Sequence, residues 1–165
     1  GAQIGGPIAL VDQDGRTVTE KDFAGRYMLV YFGYTFCPDV CPLDAQKLAT
    51  ALRTFEKQDP ARAAKVVPVF VTVDPERDTT AVLKDFVTAF HPRLVGLGGS
   101  VAQVDAAKKA YRVYAKKAGP EGAADYLIDH TAMIYLMGPD GAPISFTDHT
   151  GTADQIAADL DKYVR

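Results

Sequence analysis

The sequence is poor in the residues and patterns that mark several protein classes. Its 165 residues contain only two cysteines and three histidines, and its formal net charge is −3. No apolar run approaches the roughly 20 residues that a membrane-spanning helix needs, and there is no low-complexity tract and no internal repeat. The charge balance offers no basic surface for nucleic acid. The sequence therefore predicts no nucleic-acid partner. The rest of the composition is that of an ordinary globular protein.

The length predicts a single domain over residues 1–165, large enough to bury a core without disulfide staples. Buried strands are expected at 27–34, 65–75 and 94–99, with hairpins turning at Asp14-Gly15 and over 132–148. Helices are expected at 41–57, 78–90, 100–119 and about 152–164. This order indicates an α/β protein, in which helices flank a central, mostly parallel sheet and hairpins lie near both termini.

Both cysteines lie in one short stretch, YFGYTFCPDVCPLD, where three residues separate Cys37 from Cys41. The stretch joins the first buried strand to the following helix. The pair is therefore predicted at the C-terminal end of a strand, where α/β sheets place their sites. Together with the order of elements, this is a thioredoxin-like arrangement. Backbone N–H groups at a helix N-terminus favour thiolates, so the cysteines should be activated there.

The spacing of the cysteines bears on whether they hold a metal or form a disulfide. Helical residues four apart have Cβ atoms about 5–6 Å apart, whereas a disulfide needs about 3.8 Å. Two thiolates on one ion, with bonds of about 2.3 Å, tolerate the wider separation. The pair therefore suits a metal at least as well as a disulfide. A third alternative, two inert buried cysteines, is disfavoured by the flanking Pro38 and Pro42.

A site with two thiolates is incomplete, and the histidines are the candidates for a third ligand. His91 follows a predicted helix and suits a capping or surface role, while His149 is a weak candidate for a fourth ligand. His130 lies just before a buried strand, in the loop that faces the cysteines in thioredoxin-like folds. Its position alone favours neither a ligand nor a core residue; the facing thiols favour a ligand. Two thiolates and one imidazole suit copper better than zinc, which structural sites hold with four ligands.

Several stretches together resemble the Sco (SenC/PrrC) family of copper proteins, from about Ile4 to the last helix. They are VYFGYTFCPDVCP, VTVDPERDTTAVLKDF, FHPRLVGLGGS, AYRVYAKK and DYLIDHTAMIYLMGPDG. The resemblance implies a thioredoxin-like fold and copper ligands at Cys37, Cys41 and His130. The DPERD stretch is typical of the family, and we assign it no chemistry.

The resemblance also implies where the protein acts and with which partners. We expect an N-terminal membrane anchor before residue 1 and a domain facing the bacterial periplasm, or the mitochondrial intermembrane space in a eukaryote. The expected acceptor is cytochrome c oxidase subunit II or another copper-accepting protein. Periplasmic copper chaperones or thioredoxin-like reductants are further expected partners, and the domain is expected to be monomeric.

Two functions are open at this point. The first is a copper metallochaperone, not primarily an enzyme, that delivers copper to the copper A centre of subunit II. The second is a thiol–disulfide oxidoreductase that reduces the cysteines of that subunit: Cys37 attacks a disulfide and Cys41 resolves the mixed disulfide. The third ligand and the three-residue gap favour the metal. A peroxiredoxin is disfavoured because Thr35 lies two residues before Cys37, where that family needs three.

Overall fold

A computed structural model of the chain describes residues 3–37, 40–120, 122 and 125–165, without the side chains of Val40 and Cys41. Within these residues the chain forms nine strands and five α-helices. The strands are β1 (Ala9–Asp12), β2 (Thr17–Thr19), β3 (Tyr27–Gly33), β4 (Val66–Thr72), β5 (Val95–Gly98), β6 (Ala115–Ala118), β7 (Leu127–His130), β8 (Met133–Met137) and β9 (Pro143–Asp148). The helices are α1 (Val40–Gln58), α2 (Pro60–Ala63), α3 (Thr80–Thr88), α4 (Val101–Tyr111) and α5 (Ala153–Tyr163).

Seven strands form the main sheet, in the order β2-β1-β5-β4-β3-β8-β9. The central strands β3 and β4 are buried along their whole length, as expected for strands covered on both faces. β6 and β7 form a separate two-stranded antiparallel sheet. The C-terminal ends of β3 and β4 lie side by side, since Gly33 is paired with Thr72. That edge carries the candidate site.

Aromatic side chains join the main sheet to helices on its two faces. On one face, Phe70 lies between Tyr31 and Phe86 of α3, with ring centroids 6.2 and 4.8 Å away. On the other face, Phe32 packs 5.2 Å from Tyr111 of α4. Neighbouring residues of a strand point to opposite faces, so the buried run of β3 forms two layers of core.

None of the helices in the described ranges combines the length and apolar character needed to cross a bilayer.

The predicted α/β fold with a hairpin near each terminus is confirmed, but the mostly parallel sheet is wrong. Only β3/β4 and β4/β5 are parallel pairs; the other four pairings in the main sheet are antiparallel. β8 is antiparallel to β3 because of where it starts. A short connection from β7 brings the start of β8 to the end of the sheet where β3 finishes, so β8 must run back along β3 in the opposite direction.

The helix predicted over 100–119 is also corrected. α4 ends at Tyr111 because Arg112 takes a left-handed conformation with φ 54°, and its N–H donates to the carbonyls of Lys108 and Lys109. Residues 115–118 then form β6, although Ala and Lys favour helices. Their pairing with β7 provides hydrogen bonds that a local helix preference does not outweigh.

Phe70 should be a major source of stability. We expect Phe70→Ala to lower the free energy of unfolding by about 3–5 kcal/mol, because it opens a cavity between Tyr31 and α3. The measurement is urea unfolding followed by circular dichroism. Phe146→Ala makes the same chemical change on β9 at a side chain that is 64% exposed, and it should change stability by no more than about 0.5 kcal/mol. Equal effects of the two substitutions would contradict this packing.

Candidate metal centre

The cysteine loop, described over residues 34–37, leaves the C-terminal end of β3, and α1 begins at Val40, as the sequence predicts. Cys37 is partly buried against the core, and its N–H donates to the carbonyl of Tyr34 at 3.3 Å. Cys41 is the second residue of α1, close to the N–H groups of the first turn, which favour a thiolate. The Cys41 side chain lies outside the described residues, as do Pro38 and Asp39 between the two cysteines.

A buried carboxylate fastens the cysteine loop to the neighbouring strand. Asp78 accepts hydrogen bonds from the Thr35 N–H at 3.0 Å, from the Thr35 hydroxyl and from the Thr72 hydroxyl at 2.6 Å. Its side chain is 3% exposed. Burial raises the pKa of Asp78, while the bonds from Thr35 and Thr72 act in the opposite direction. Because Thr35 lies two residues before Cys37, Asp78 fixes the start of the turn that presents this thiol.

His130 ends β7 and faces the same end of β3. Its ring lies edge-on to the rings of Tyr31 and Tyr34, with centroids 6.1 and 5.8 Å away. Nδ1 is 2.9 Å from the carbonyl oxygen of Thr131. A carbonyl can only accept, so Nδ1 carries the proton and the lone pair of the neutral ring is on Nε2. This is the arrangement in which a histidine ligates a metal while its other nitrogen is held in place.

Tyr34 joins the cysteine loop to the strand that carries His130. Its carbonyl accepts from Cys37, its hydroxyl accepts from the Ile128 N–H at 2.9 Å, and its ring contacts His130. The side chain is 2% exposed, so the link is protected from water. The cysteine loop and the His130 strand are thereby held against each other. The described side chains alone form no cluster of three or more Cys, His, Asp or Glu ligands, and the predicted set includes Cys41.

The other two histidines have different surroundings. His91 is buried, with Nε2 2.8 Å from Glu56 and Nδ1 accepting from the Arg93 N–H at 3.0 Å. The surface role considered for His91 is therefore wrong. The hydrogen bonds of its ring hold the surrounding structure together. His149 is exposed in the turn between β9 and α5, where its backbone carbonyl accepts from Lys47 at 2.6 Å.

The DPERD stretch, to which the sequence assigns no chemistry, supports the site through two buried carboxylates. Asp74 is 1% exposed and accepts from Arg77 Nε at 2.6 Å and from the Tyr126 hydroxyl. Asp78 binds the cysteine loop as described above. The sequence does contain a signal for this role. Two carboxylates follow β4, and because β4 is parallel to β3, residues after its C-terminal end must lie beside the cysteines.

Comparison with known proteins identifies the family of the chain. A family model described as SCO1/SenC matches residues 1–165. The chain is 42% identical to SenC of Rhodobacter capsulatus over 156 residues, which are 94% of this chain and 68% of that protein. The chain belongs to the SCO1/SenC family. It is also 40% identical to the mitochondrial SCO1 homolog 1 of Arabidopsis thaliana over 164 residues, but these are 99% of this chain and 48% of that protein.

Solved structures of the SCO1/SenC family confirm the thioredoxin-like fold. The structure of Bradyrhizobium japonicum ScoI with copper bound is 45% identical and has a TM-score of 0.86, covering 98% of this chain and 99% of that one. That of Arabidopsis thaliana ScoI with copper bound is 40% identical, with a TM-score of 0.89 and 96% of each chain covered. The present chain spans only about half the length of the Arabidopsis protein mentioned above.

Asp78 should be required for stability because three donors depend on it. We expect Asp78→Ala to lower the free energy of unfolding by about 2–3 kcal/mol, since it leaves buried donors without their acceptor. Asp78→Asn keeps one carbonyl oxygen and should cost less. Asp85→Ala, on the exposed side of α3, is the matched control and should stay within about 0.5 kcal/mol. Denaturant unfolding of the three variants measures this, and an Asp78→Ala protein as stable as Asp85→Ala would contradict it.

The raised pKa of Asp78 gives this contribution a pH dependence. Since the folded pKa lies above the unfolded value of 3.8, the favourable contribution of the protonated group is fully present below 3.8. It is lost as the pH rises through the folded pKa. The parent should therefore lose stability relative to Asp78→Asn on going from about pH 4 towards neutrality. A difference in unfolding free energy between the two proteins that stays constant across this range would show that burial does not raise the pKa of Asp78.

Proposed function

We propose that this domain binds copper through Cys37, Cys41 and His130 and delivers it to the copper A centre of cytochrome c oxidase subunit II. The observation that carries the proposal is the link through Tyr34, which holds the Cys37 turn against the strand of His130. A ligand set drawn from a loop and a separate strand needs such a link, because neither segment alone provides all three side chains.

The donor chemistry supports copper as the cargo. Thiolates are soft ligands that hold Cu(I), and an added imidazole makes Cu(II) acceptable as well. The proton on Nδ1 of His130 leaves Nε2 as the nitrogen that would bind the ion. The Bradyrhizobium japonicum relative, 45% identical, was solved with copper bound. With only three protein ligands, an incoming ligand of the acceptor can displace them one at a time.

Exposed apolar side chains beside the cysteines support transfer to a protein acceptor. Phe36, next to Cys37, is 51% exposed, and Leu43, two residues after Cys41, is 59% exposed. Large exposed apolar side chains, one on the cysteine loop and one in the first turn of α1, suit a protein interface more than contact with water. The acceptor in our proposal is subunit II, reached on the periplasmic face of the bacterial inner membrane or in the mitochondrial intermembrane space. Relatives in the family include mitochondrial proteins and a bacterial SenC.

A second function, thiol–disulfide exchange, uses the same dithiol. The position of Cys41 in the first turn of α1 favours it, because thiolates are stabilised there. Cys37 would attack a disulfide of subunit II and release one thiolate; Cys41 would then attack Cys37 and release the second. Two electrons pass to the partner, and a Cys37–Cys41 disulfide remains. This step would prepare the acceptor cysteines for copper, so the two functions are compatible.

The role of His130 can be tested by its effect on the two oxidation states of copper. We expect His130→Ala to weaken Cu(II) binding by at least about 100-fold. Loss of a group that only hydrogen-bonds a metal ligand typically costs about 10–100-fold in affinity, and loss of the ligand itself should cost more. Cu(I) binding should fall much less, because two thiolates still suit the softer ion. The measurement is competition against a chelator for each oxidation state, with the cysteines reduced.

The matched control is His149→Ala, which removes an exposed imidazole at a turn that also faces α1. It should bind both ions as the parent does. If His130→Ala holds Cu(II) as tightly as the parent, His130 is not a ligand. If His149→Ala weakens Cu(II) equally, the ligand set is different from the one proposed.

A further inference from the structure

The loop between β4 and α3, residues 74–78, contacts both halves of the candidate site. Its last residue, Asp78, binds Thr35 of the cysteine loop. Its first residue, Asp74, accepts from the hydroxyl of Tyr126, which immediately precedes β7. Desolvation and this hydrogen bond raise the pKa of Tyr126 to about 12, so the hydroxyl stays protonated as the donor at neutral pH. The 74–78 loop thus touches the segments of Cys37 and His130.

Arg77 lies at the centre of these contacts. Its guanidinium carbon is 3.6 Å from the ring centroid of Tyr126 and 4.8 Å from that of Phe36. Nε donates to Asp74 at 2.6 Å, which fixes the plane of the group. The side chain is only 15% exposed, so both ring contacts are partly desolvated and stronger than exposed cation–π pairs. One guanidinium therefore touches the residue before Cys37 and the residue before the strand of His130.

The alternation of β7 carries this contact to His130. Side chains two residues apart on a strand share a face, which puts Tyr126, Ile128 and His130 together. Burial agrees, because Ile128 is 7% exposed while Leu127 and Asp129 are exposed. Fixing the ring of Tyr126 therefore holds the start of β7 on the face that His130 shares.

The β6–β7 hairpin needs such contacts to hold its position. It is a two-stranded sheet separate from the main one, and isolated hairpins are marginally stable at best. The ion pair between Lys117 and Glu76, at 3.2 Å, joins the hairpin to the 74–78 loop, but both side chains are 56% exposed. Exposed pairs of this kind contribute little. The partly buried contacts of Arg77 and Tyr34 are the stronger attachments.

We propose that Arg77 is a positioning residue that holds the His130 strand at a fixed separation from the cysteine loop. The inference rests on the proposed function, in which the ligands Cys37 and His130 come from these two segments. The expected consequence is selective. Cu(I) needs only the thiolates of Cys37 and of Cys41 at the start of α1, whereas Cu(II) also needs the imidazole of the hairpin. Loss of Arg77 should therefore weaken Cu(II) binding more than Cu(I) binding.

The test compares Arg77→Met, which removes the charge and the planar group, with Arg77→Lys, which keeps the charge but not the plane. The matched control is Arg62→Met. Arg62 also stacks on a ring, that of Phe55 at 5.0 Å, and pairs with Asp161 at 3.0 Å. It lies just before the start of β4, at the opposite end of the sheet from the site.

Three readouts separate positioning from general destabilisation: the affinities for Cu(II) and Cu(I) by chelator competition, the thiolate-to-Cu(II) absorption band, and hydrogen exchange of the metal-free protein. For Arg77→Met we expect Cu(II) affinity to fall about 10–100-fold, with a shifted absorption band and a smaller change for Cu(I). Arg77→Lys should fall between parent and Arg77→Met, since an ammonium cannot stack on two rings. Arg62→Met should lose stability and keep both affinities.

Hydrogen exchange keeps this inference distinct from the proposed function. In the metal-free protein, the Ile128 and Thr131 amides should exchange faster in Arg77→Met than in the parent or in Arg62→Met. Parent-like exchange and Cu(II) affinity in Arg77→Met would overturn the role of Arg77 and leave the copper function standing. A parent that binds no copper would overturn the proposed function, and the exchange data would still decide whether Arg77 holds the hairpin. Equal losses in Arg77→Met and Arg62→Met would identify general destabilisation and overturn the inference.

Discussion

The parallel pairing of β3 with β4 is the constraint on which the site depends. Seven residues of each strand pair in register, so the segments after β3 and β4 leave the sheet side by side, after Gly33 and Thr72. The loops that follow must share one edge. This brings Asp78 to Thr35 across 43 positions of sequence and lets a single carboxylate bind the turn that carries Cys37. A shift in this register would separate the cysteine loop from its support.

A buried carboxylate is costly, and here the cost is offset locally. Asp78 loses hydration but gains three donors, two of them from Thr35. The result is a turn with little freedom at its start and an apolar, exposed Phe36 next to the thiol. Hydrogen-bonded support beneath and an open surface above suit the proposed site, which would hold an ion and then release it to a partner. The third proposed ligand comes from outside the main sheet, on β7, and is positioned through Tyr34 and Arg77.

Much of this could be predicted from the sequence, because it depends on local patterns. The buried runs of β3 and β4, the two hairpin turns and the position of the cysteines after β3 follow from periodicity and turn residues. His130 required more: its position before a buried strand left two interpretations open, and the facing thiols and the family resemblance favoured a ligand. That Thr131, its neighbour, would set the tautomer through a carbonyl has no signal in the sequence.

The errors have a common cause in long-range contacts. Residues 115–118 favour a helix by composition, yet pairing with β7 makes them a strand. The direction of β8 depends on the end of the sheet at which the chain arrives, which no local pattern encodes. The roles of Asp74 and Arg77 arise from contacts with residues about 50 positions away, such as Tyr126. Periodicity describes which face a residue occupies, but not which partner reaches that face.

We propose that one copper site is formed by, and depends on, the reduced cysteine pair. The decisive experiment titrates copper into the fully reduced protein and into its Cys37–Cys41 disulfide form, each against a competing chelator. We expect one tightly held copper per reduced chain and none in the disulfide form, because the ion needs both thiolates. Failure of the reduced protein to compete for copper, or equal binding by both forms, would contradict it.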